Sequence, residues 1–183
     1  MAIDWSFISI LEGHRLTGYV PDALDSQSGV TVADGVDLGQ MGQVAFAALD
    51  ADLRVLLLPY AGLKKQDAAD ALAKKPLVLT EAQADALNAA VRVPLVRTLS
   101  IRYGDAAAGP FESIPDACQT VIASVTFQYG TPWIRCPMFW AAACRQDWPG
   151  VIGELENFGD SYHTRRVAES AYLKARLGLI DHS

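Results

Sequence analysis

The sequence predicts an α+β fold that is mainly helical and has a small antiparallel sheet near its N-terminus. Helical spacing of apolar residues dominates the chain after Gly39. Before that point, apolar and polar side chains alternate from residue 30 toward an Asp-Gly pair, which is typical of a β-hairpin. The sequence has no internal repeat or long linker. We therefore expect one domain over residues 1–183, with a β lobe at about 17–38 and a helical body at 39–183.

The first predicted helix is short and ends close to a glutamate. Asp4 is a suitable N-cap, and apolar side chains follow it at helical spacing. Gly13 directly after Glu12 is a typical helix stop. The next segment, residues 18–20, is predicted as a strand that ends at Pro21.

A hairpin is predicted after a polar loop at residues 22–28. Residues 30–32 read as a strand that leads into Asp34 and Gly35, a pair that strongly favours a tight turn. Residues 36–38 are the return strand. We interpret Asp34 as a structural turn residue.

The remaining predicted elements are helices marked by capping residues, prolines and glycines. Thr80 to Gln83 fits a capping box at the start of a long helix that Pro94 should kink or divide. Further helices are predicted over 43–49, 50–57, 65–75, 115–129 and 160–177.

Charge and composition exclude several classes of protein. Half of the residues, 51%, are apolar, which is enough for a folded core, and the net charge of −6 argues against a nucleic-acid-binding protein. No segment approaches the length of a membrane span, and the N-terminus lacks the pattern of a signal peptide. We expect a monomer that is synthesised in the cytoplasm and does not insert into a membrane.

The cysteines predict neither a disulfide framework nor a metal site. Cys118, Cys136 and Cys144 form no Cys-x-x-Cys pair, and no histidines cluster with them. Buried free thiols are the expected outcome, as in a protein made for a reducing compartment. We expect neither a metal nor an organic cofactor.

Glu12 has the properties of a general acid. A carboxylate at the C-terminal end of a helix is disfavoured by the helix dipole, and its apolar neighbours add desolvation. Both effects favour the protonated form that can donate to a leaving group. An ordinary solvated glutamate is the alternative reading of Glu12 taken by itself.

Two further polar residues lie on the predicted hairpin. Asp37 alternates with Val36 and Leu38, so that it faces away from them if they pack inward. Thr31 falls close to the position opposite Asp37, where a hydroxyl beside a carboxylate can hold a water molecule. A pair of carboxylates on separate elements is the arrangement that cleaves glycosidic bonds. Solvent exposure and plain strand propensity are the alternative readings.

These residues belong to a pattern that resembles the pesticin-like lysozymes, a muramidase group shared by a bacteriocin toxin domain and certain phage endolysins. Within residues 12–40 the pattern is E-G, T-G-Y-V-P and S-G-V-T-V-A-D-G-V-D-L-G-Q. Weaker matches follow at Gln119–Ile122, Phe127–Gly130, Phe139–Trp140, Asp147–Trp148, Asn157–Asp160, Thr164–Arg166 and Glu169.

The resemblance implies a lysozyme-like fold and roles for three residues. Glu12 matches the family's catalytic acid, Thr31 its ribbon threonine, and Asp37 the aspartate six residues later. The expected reaction is hydrolysis of the β-1,4 bond from N-acetylmuramic acid to N-acetylglucosamine in peptidoglycan glycan strands, with inversion. The chain departs from the family at Ala33, where glycine is usual, and this difference is expected to alter the turn.

Other candidates for the site are weaker. His14 lies beside Glu12 in the sequence, but a surface position is expected for it. Arg165 or Arg166 is a candidate ion-pair partner of Glu12, which would lower the pKa of that acid. Four aromatic residues are expected in the core rather than stacked on sugar rings: Trp133, Phe139, Trp140 and Trp148. Residues that bind substrate are not predicted.

Several functions stay open at this point. A lytic transglycosylase needs only one acid, a chitinase could use the same two carboxylates, and an inactive module could bind glycan without cutting it. The expected setting is the periplasm, reached as a phage endolysin through a holin pore or as an antibacterial toxin through a secretion machine. A toxin would have an immunity protein as its partner.

Overall fold

The computed structural model describes residues 3–21, 23 and 27–179, which contain mainly helices and one small antiparallel sheet. The predicted mainly helical, lysozyme-like α+β class with an N-terminal sheet is confirmed. The strands are β1 (His14–Tyr19), β2 (Thr31–Asp34) and β3 (Val36–Asp37). The α-helices are α1 (Trp5–Glu12), α2 (Gln43–Ala47), α3 (Ala51–Leu57), α4 (Lys65–Lys74), α5 (Glu81–Ala106), α6 (Asp116–Tyr129), α7 (Pro132–Arg135), α8 (Pro137–Cys144), α9 (Trp148–Glu156) and α10 (His163–Leu177).

The starts of α1, α3 and α5 are held by the side chains that the sequence indicates. The Asp4 carboxylate accepts a hydrogen bond from the Phe7 backbone at the start of α1, and Asp50 does the same for α3. The capping box of α5 is complete: the Gln83 backbone donates to Thr80 Oγ1, and the Thr80 backbone donates to Gln83 Oε1. These local bonds explain why the sequence places the helix starts correctly.

Two features of the helices differ from the prediction. The long helix α5 continues through Pro94 and is not divided there, whereas a kink at Pro94 stays a prediction. Asp160 does not cap the last helix, because α10 begins at His163. The Asp160 carboxylate instead accepts hydrogen bonds from the Tyr162 backbone and from Arg166 Nε.

The sheet has the order β1–β2–β3, with antiparallel neighbours. In the β2–β3 hairpin Thr31 pairs with Asp37, and Val32 pairs with Val36. Strand β1 begins at His14, earlier than the predicted residues 18–20. Within the predicted polar loop at 22–28, residues 22 and 24–26 lie outside the described residues.

Contacts divide the chain into two compact units. The first is Glu12–Pro94, and the second combines Met1–Leu11 with Leu95–Ser183. The β lobe predicted at about 17–38 therefore lies inside a unit that also contains α2, α3 and α4. The single domain expected over 1–183 stays a prediction.

Each unit has its own apolar core. The core of the first unit is built on the hairpin and on helices α3 and α5, with Val32, Leu53, Leu57 and Leu87 almost fully buried. The second core is centred on α6, a helix that is buried over most of its length. Trp133, Phe139, Trp140 and Trp148 belong to this second core or pack against it, as expected.

Cys118 and Cys136 are buried free thiols, as expected, and Cys144 is a half-buried one. Burial raises the pKa of the Cys118 thiol to about 12, so that this thiol is inert at neutral pH. None of the helices in the described ranges combines the length and the apolar character that a bilayer crossing requires.

Candidate active site

Glu12 is the last residue of α1, and its side chain reaches the turn of the hairpin. Its Oε2 lies 3.2 Å from the point where a Cβ on Gly35 would stand, and its Oε1 is buried. Gly35 has a φ of +72°, a conformation that favours glycine. Both the backbone conformation and the close approach of Glu12 therefore favour glycine at this position.

The hairpin brings Thr31 and Asp37 together as predicted. They are directly paired residues of β2 and β3, and their Cβ atoms consequently point to the same face of the sheet. Val36 and Leu38 are buried, which confirms that the neighbours of Asp37 pack inward. Thr31 is only 5% exposed, and its hydroxyl donates a long 3.4 Å hydrogen bond to the Gly29 carbonyl.

Asp37 is held more firmly than its sequence position suggests. Its Oδ1 accepts hydrogen bonds from the backbone N–H groups of Gly29 at 3.0 Å and Gly39 at 2.8 Å. Its Oδ2 accepts one from Gln40 Nε2 at 2.7 Å. A Cβ on Gly39 would lie 3.1 Å from Asp37 Oδ1, so this glycine permits the close approach. The carboxylate is fixed in orientation, and Oδ2 keeps the capacity to accept a second hydrogen bond.

Ala33 stands near the turn, at the position where the resembling family usually has glycine. It has a φ of +55°, in the left-handed region where glycine is favoured. Its methyl group is nevertheless buried in the core of the first unit, with 1% exposure. Alanine therefore occupies a conformation that favours glycine, and the expected alteration of the turn stays a prediction.

Asp34 and His14 form a cluster that the sequence analysis did not find. Asp34 was predicted as a turn residue, but it is the last residue of β2, directly before the turn at Gly35; it is 2% exposed and forms ion pairs with His14 and Arg92. His14 is exposed as expected, yet its Nε2 also lies 3.0 Å from Glu81 Oε2. The bond to Asp34 raises the pKa of His14, burial opposes the rise, and the bond to Glu81 adds to it.

Arg165 and Arg166 belong to a buried ionic network of the second unit. Arg166, 1% exposed, pairs with Asp160 and Glu169 and also bonds Gln128. Arg165 Nε lies 3.1 Å from Glu169 Oε1, and its terminal nitrogen donates to the backbone and side chain of Ser124. The network explains why these charged residues occur in the interior of the second unit.

Within the ranges that the structure describes, no group of three or more His, Cys, Asp or Glu side chains has the arrangement of a metal site. An acid beside a tight turn and an oriented carboxylate on the same hairpin are the elements of acid–base catalysis.

A mainly helical chain with a small three-stranded antiparallel sheet near its N-terminus has the lysozyme-like α+β fold. A family model described as "Pesticin: Bacterial toxin homologue of phage lysozyme, C-term" matches residues 2–149, and the chain belongs to this family. A comparison with curated proteins gave no match.

Proposed function

We propose that this protein is a muramidase that hydrolyses the β-1,4 bond between N-acetylmuramic acid and N-acetylglucosamine in peptidoglycan. Membership of a family of phage lysozyme homologues supports the substrate class. The observation that carries the proposal is the β2–β3 hairpin: Thr31 and Asp37 are paired across it, and Glu12 lies against the glycine of its turn.

In the proposed reaction Glu12 donates its proton to the glycosidic oxygen, and the bond from that oxygen to the anomeric carbon breaks. A water molecule attacks the same carbon from the opposite face and transfers a proton to Asp37. Thr31 helps to hold this water. The product has inverted configuration, which requires the two carboxyl groups to stand roughly 6.5–9.5 Å apart. That separation stays a prediction.

The surroundings of Asp37 suit the role of a base. Backbone donors from Gly29 and Gly39 fix Oδ1, and the single donor Gln40 leaves room at Oδ2 for a water proton. A carboxylate that is already oriented loses little freedom when the substrate binds. The position of Thr31 suits its proposed role of holding the water less well, because its hydroxyl is buried and directed at the Gly29 carbonyl.

The test is the release of reducing ends from purified sacculi by the wild type and by single variants. Glu12→Gln keeps the shape of the side chain and cannot donate a proton. We expect it to lose about 10²–10⁴-fold in turnover. Activity within about threefold of the wild type, at unchanged melting temperature, would exclude Glu12 as the acid.

Thr31→Val tests the weaker member of the site. Valine is nearly isosteric and favours strands as well as threonine does. If the hydroxyl holds the water in the transition state, we expect a loss of about 10²-fold, since one oriented contact at a reacting centre is worth about 10²–10³-fold. A folded Thr31→Val protein with unchanged turnover would leave Thr31 as a structural residue.

The products distinguish the other functions. Borohydride reduction followed by hydrolysis gives muramitol when the new reducing end belongs to N-acetylmuramic acid. Ends with a 1,6-anhydro ring would show a lytic transglycosylase, and cleavage of chitin would show a broader specificity. Retention on sacculi without any new ends would show a binding module.

We further propose that the enzyme acts on the cell wall outside the cytoplasm, as an endolysin or as an antibacterial toxin. The description of the family, which joins a bacterial toxin to phage lysozyme, supports both settings. Expression in a Gram-negative host with and without an added export signal tests the compartment. Lysis is expected only with export. Protection of such cells by the product of a neighbouring gene would identify an immunity protein.

A further inference from the structure

The cluster around Asp34 joins three elements of the first unit. Asp34 Oδ1 lies 2.6 Å from His14 Nδ1, and Oδ2 forms an ion pair with Arg92. The other ring nitrogen of His14 lies 3.0 Å from Glu81. The cluster thus connects the start of β1, the end of β2 and helix α5.

The backbone of Asp34 is fixed as firmly as its side chain. Its N–H donates to Asn88 Oδ1 at 3.2 Å, and its Cα is paired with that of His14 across β1 and β2. Side chain, backbone and strand pairing therefore all hold this residue. The next residue in the chain is Gly35, against which the Glu12 carboxylate lies.

The partners on α5 form one stripe along the helix. Glu81, Asn88 and Arg92 follow at intervals of seven and four residues, which places them on one face. Apolar residues at these positions of α5 would pack against the hairpin without the cost of removing the Asp34 carboxylate and most of the Arg92 guanidinium from water. Buried ion pairs are often neutral or unfavourable compared with apolar replacements. Stability alone is therefore a poor explanation of this stripe.

We infer that Asp34 is a positioning residue for Glu12: held by His14 and Arg92, it fixes the turn at Gly35 against the Glu12 carboxyl. This inference rests on the proposed function, in which Glu12 is the acid. His14 acts in it as an imidazolium, because both ring nitrogens can donate only when both are protonated. Glu81 bonds Nε2 of that ring, and Arg92 pairs with Oδ2 of Asp34.

The inference predicts a loss in kcat with little change in KM, because the cluster acts through Glu12, whose role lies in the transition state. We expect Asp34→Asn to lower kcat by about 10²-fold, the cost of a misplacement of about 1 Å. His14→Ala leaves the Arg92 pair intact and should lower kcat by about tenfold. Because His14 is exposed, we expect His14→Ala to fold even if Asp34→Asn does not fold.

Asp50→Ala is the matched control in the same unit. It removes the N-cap of α3, which holds the Leu53 backbone, and costs about 1 kcal/mol without touching the turn. We expect a lower melting temperature and an unchanged kcat. Loss of kcat in the Asp34 and His14 variants, but not in Asp50→Ala, would support positioning.

Two outcomes would overturn the inference, and they are distinguishable. If the wild type releases reducing ends and the folded His14 and Asp34 variants keep the kcat of Asp50→Ala, the cluster is only structural. If Asp34→Asn does not fold, His14→Ala decides alone. If the wild type releases no ends from sacculi, the proposed function fails, and with it the role of Glu12.

Discussion

Gly35→Ala should separate catalytic geometry from backbone strain, because this chain contains a matched control. Gly35 and Gly62 both belong to the first unit and have similar backbone angles, with φ of +72° and +76°. A Cβ on Gly62 would meet nothing within 4 Å, whereas a Cβ on Gly35 would meet Glu12 Oε2 at 3.2 Å. Only the first substitution therefore presses on the proposed acid.

The magnitudes follow from these contacts. A left-handed φ costs a non-glycine residue about 1–2 kcal/mol, and both variants should lose about this much stability. In Gly35→Ala the Glu12 carboxylate must also yield by a few tenths of an ångström. Since a misplacement of about 1 Å costs about 10²-fold in rate, this shift should lower kcat by about 3- to 10-fold.

The assay compares release of reducing ends from purified sacculi with urea unfolding for both variants. We expect the two to unfold alike and only Gly35→Ala to be slow. Equal turnover in the two variants would mean that Glu12 does not depend on the turn at Gly35. A slow Gly62→Ala would mean that strain in the first unit alone reduces the rate.

Three further predictions concern charged side chains. The pKa of His14 is raised in the folded state, mainly by Asp34, so the stability that His14 adds to the fold is complete below about pH 6.5 and is lost as the pH rises through the folded pKa. The difference in unfolding free energy between wild type and His14→Ala, measured in urea, should therefore narrow on going to pH 9. A constant difference would contradict this. Glu169→Ala removes one of the two carboxylates that pair with the buried Arg166 and should cost about 3–5 kcal/mol in urea unfolding; a loss below 1 kcal/mol would contradict that estimate. Asp37→Asn keeps an oxygen that accepts the hydrogen bonds from the backbones of Gly29 and Gly39, but it is a weaker base. The melting temperature should therefore be nearly unchanged while turnover falls by about 10²-fold or more. Equal turnover would exclude Asp37 as the base.

Local patterns explain how much of the fold was predictable. The hairpin, the capping box at Thr80 and the stop at Gly130 each follow from residues within a few positions of one another. The short helices α7, α8 and α9 were not predicted singly. A proline is the first residue of α7 and of α8 and the second residue of α9, and their apolar residues lie in a buried region without a clear polar face.

Only part of the candidate site could be predicted from the sequence, as was true of the fold. The pairing of Thr31 with Asp37 follows from the length of the turn, whereas the donors at Gly29 and Gly39 come from loop residues whose path no periodicity gives. The cluster around Asp34 was missed because the Asp-Gly pair already had a local explanation. The polar stripe on α5, with Arg92 in register, is the feature of the sequence that could have indicated it.

The most direct test of the central claim is the configuration of the first product. Wild-type protein is mixed with soluble peptidoglycan glycan strands, and the new reducing ends are followed by proton NMR before they mutarotate. Attack by a water held at Asp37, with Glu12 as the acid, predicts that the α-anomer of N-acetylmuramic acid appears first. Initial formation of the β-anomer, or of 1,6-anhydro ends, would contradict the inverting mechanism.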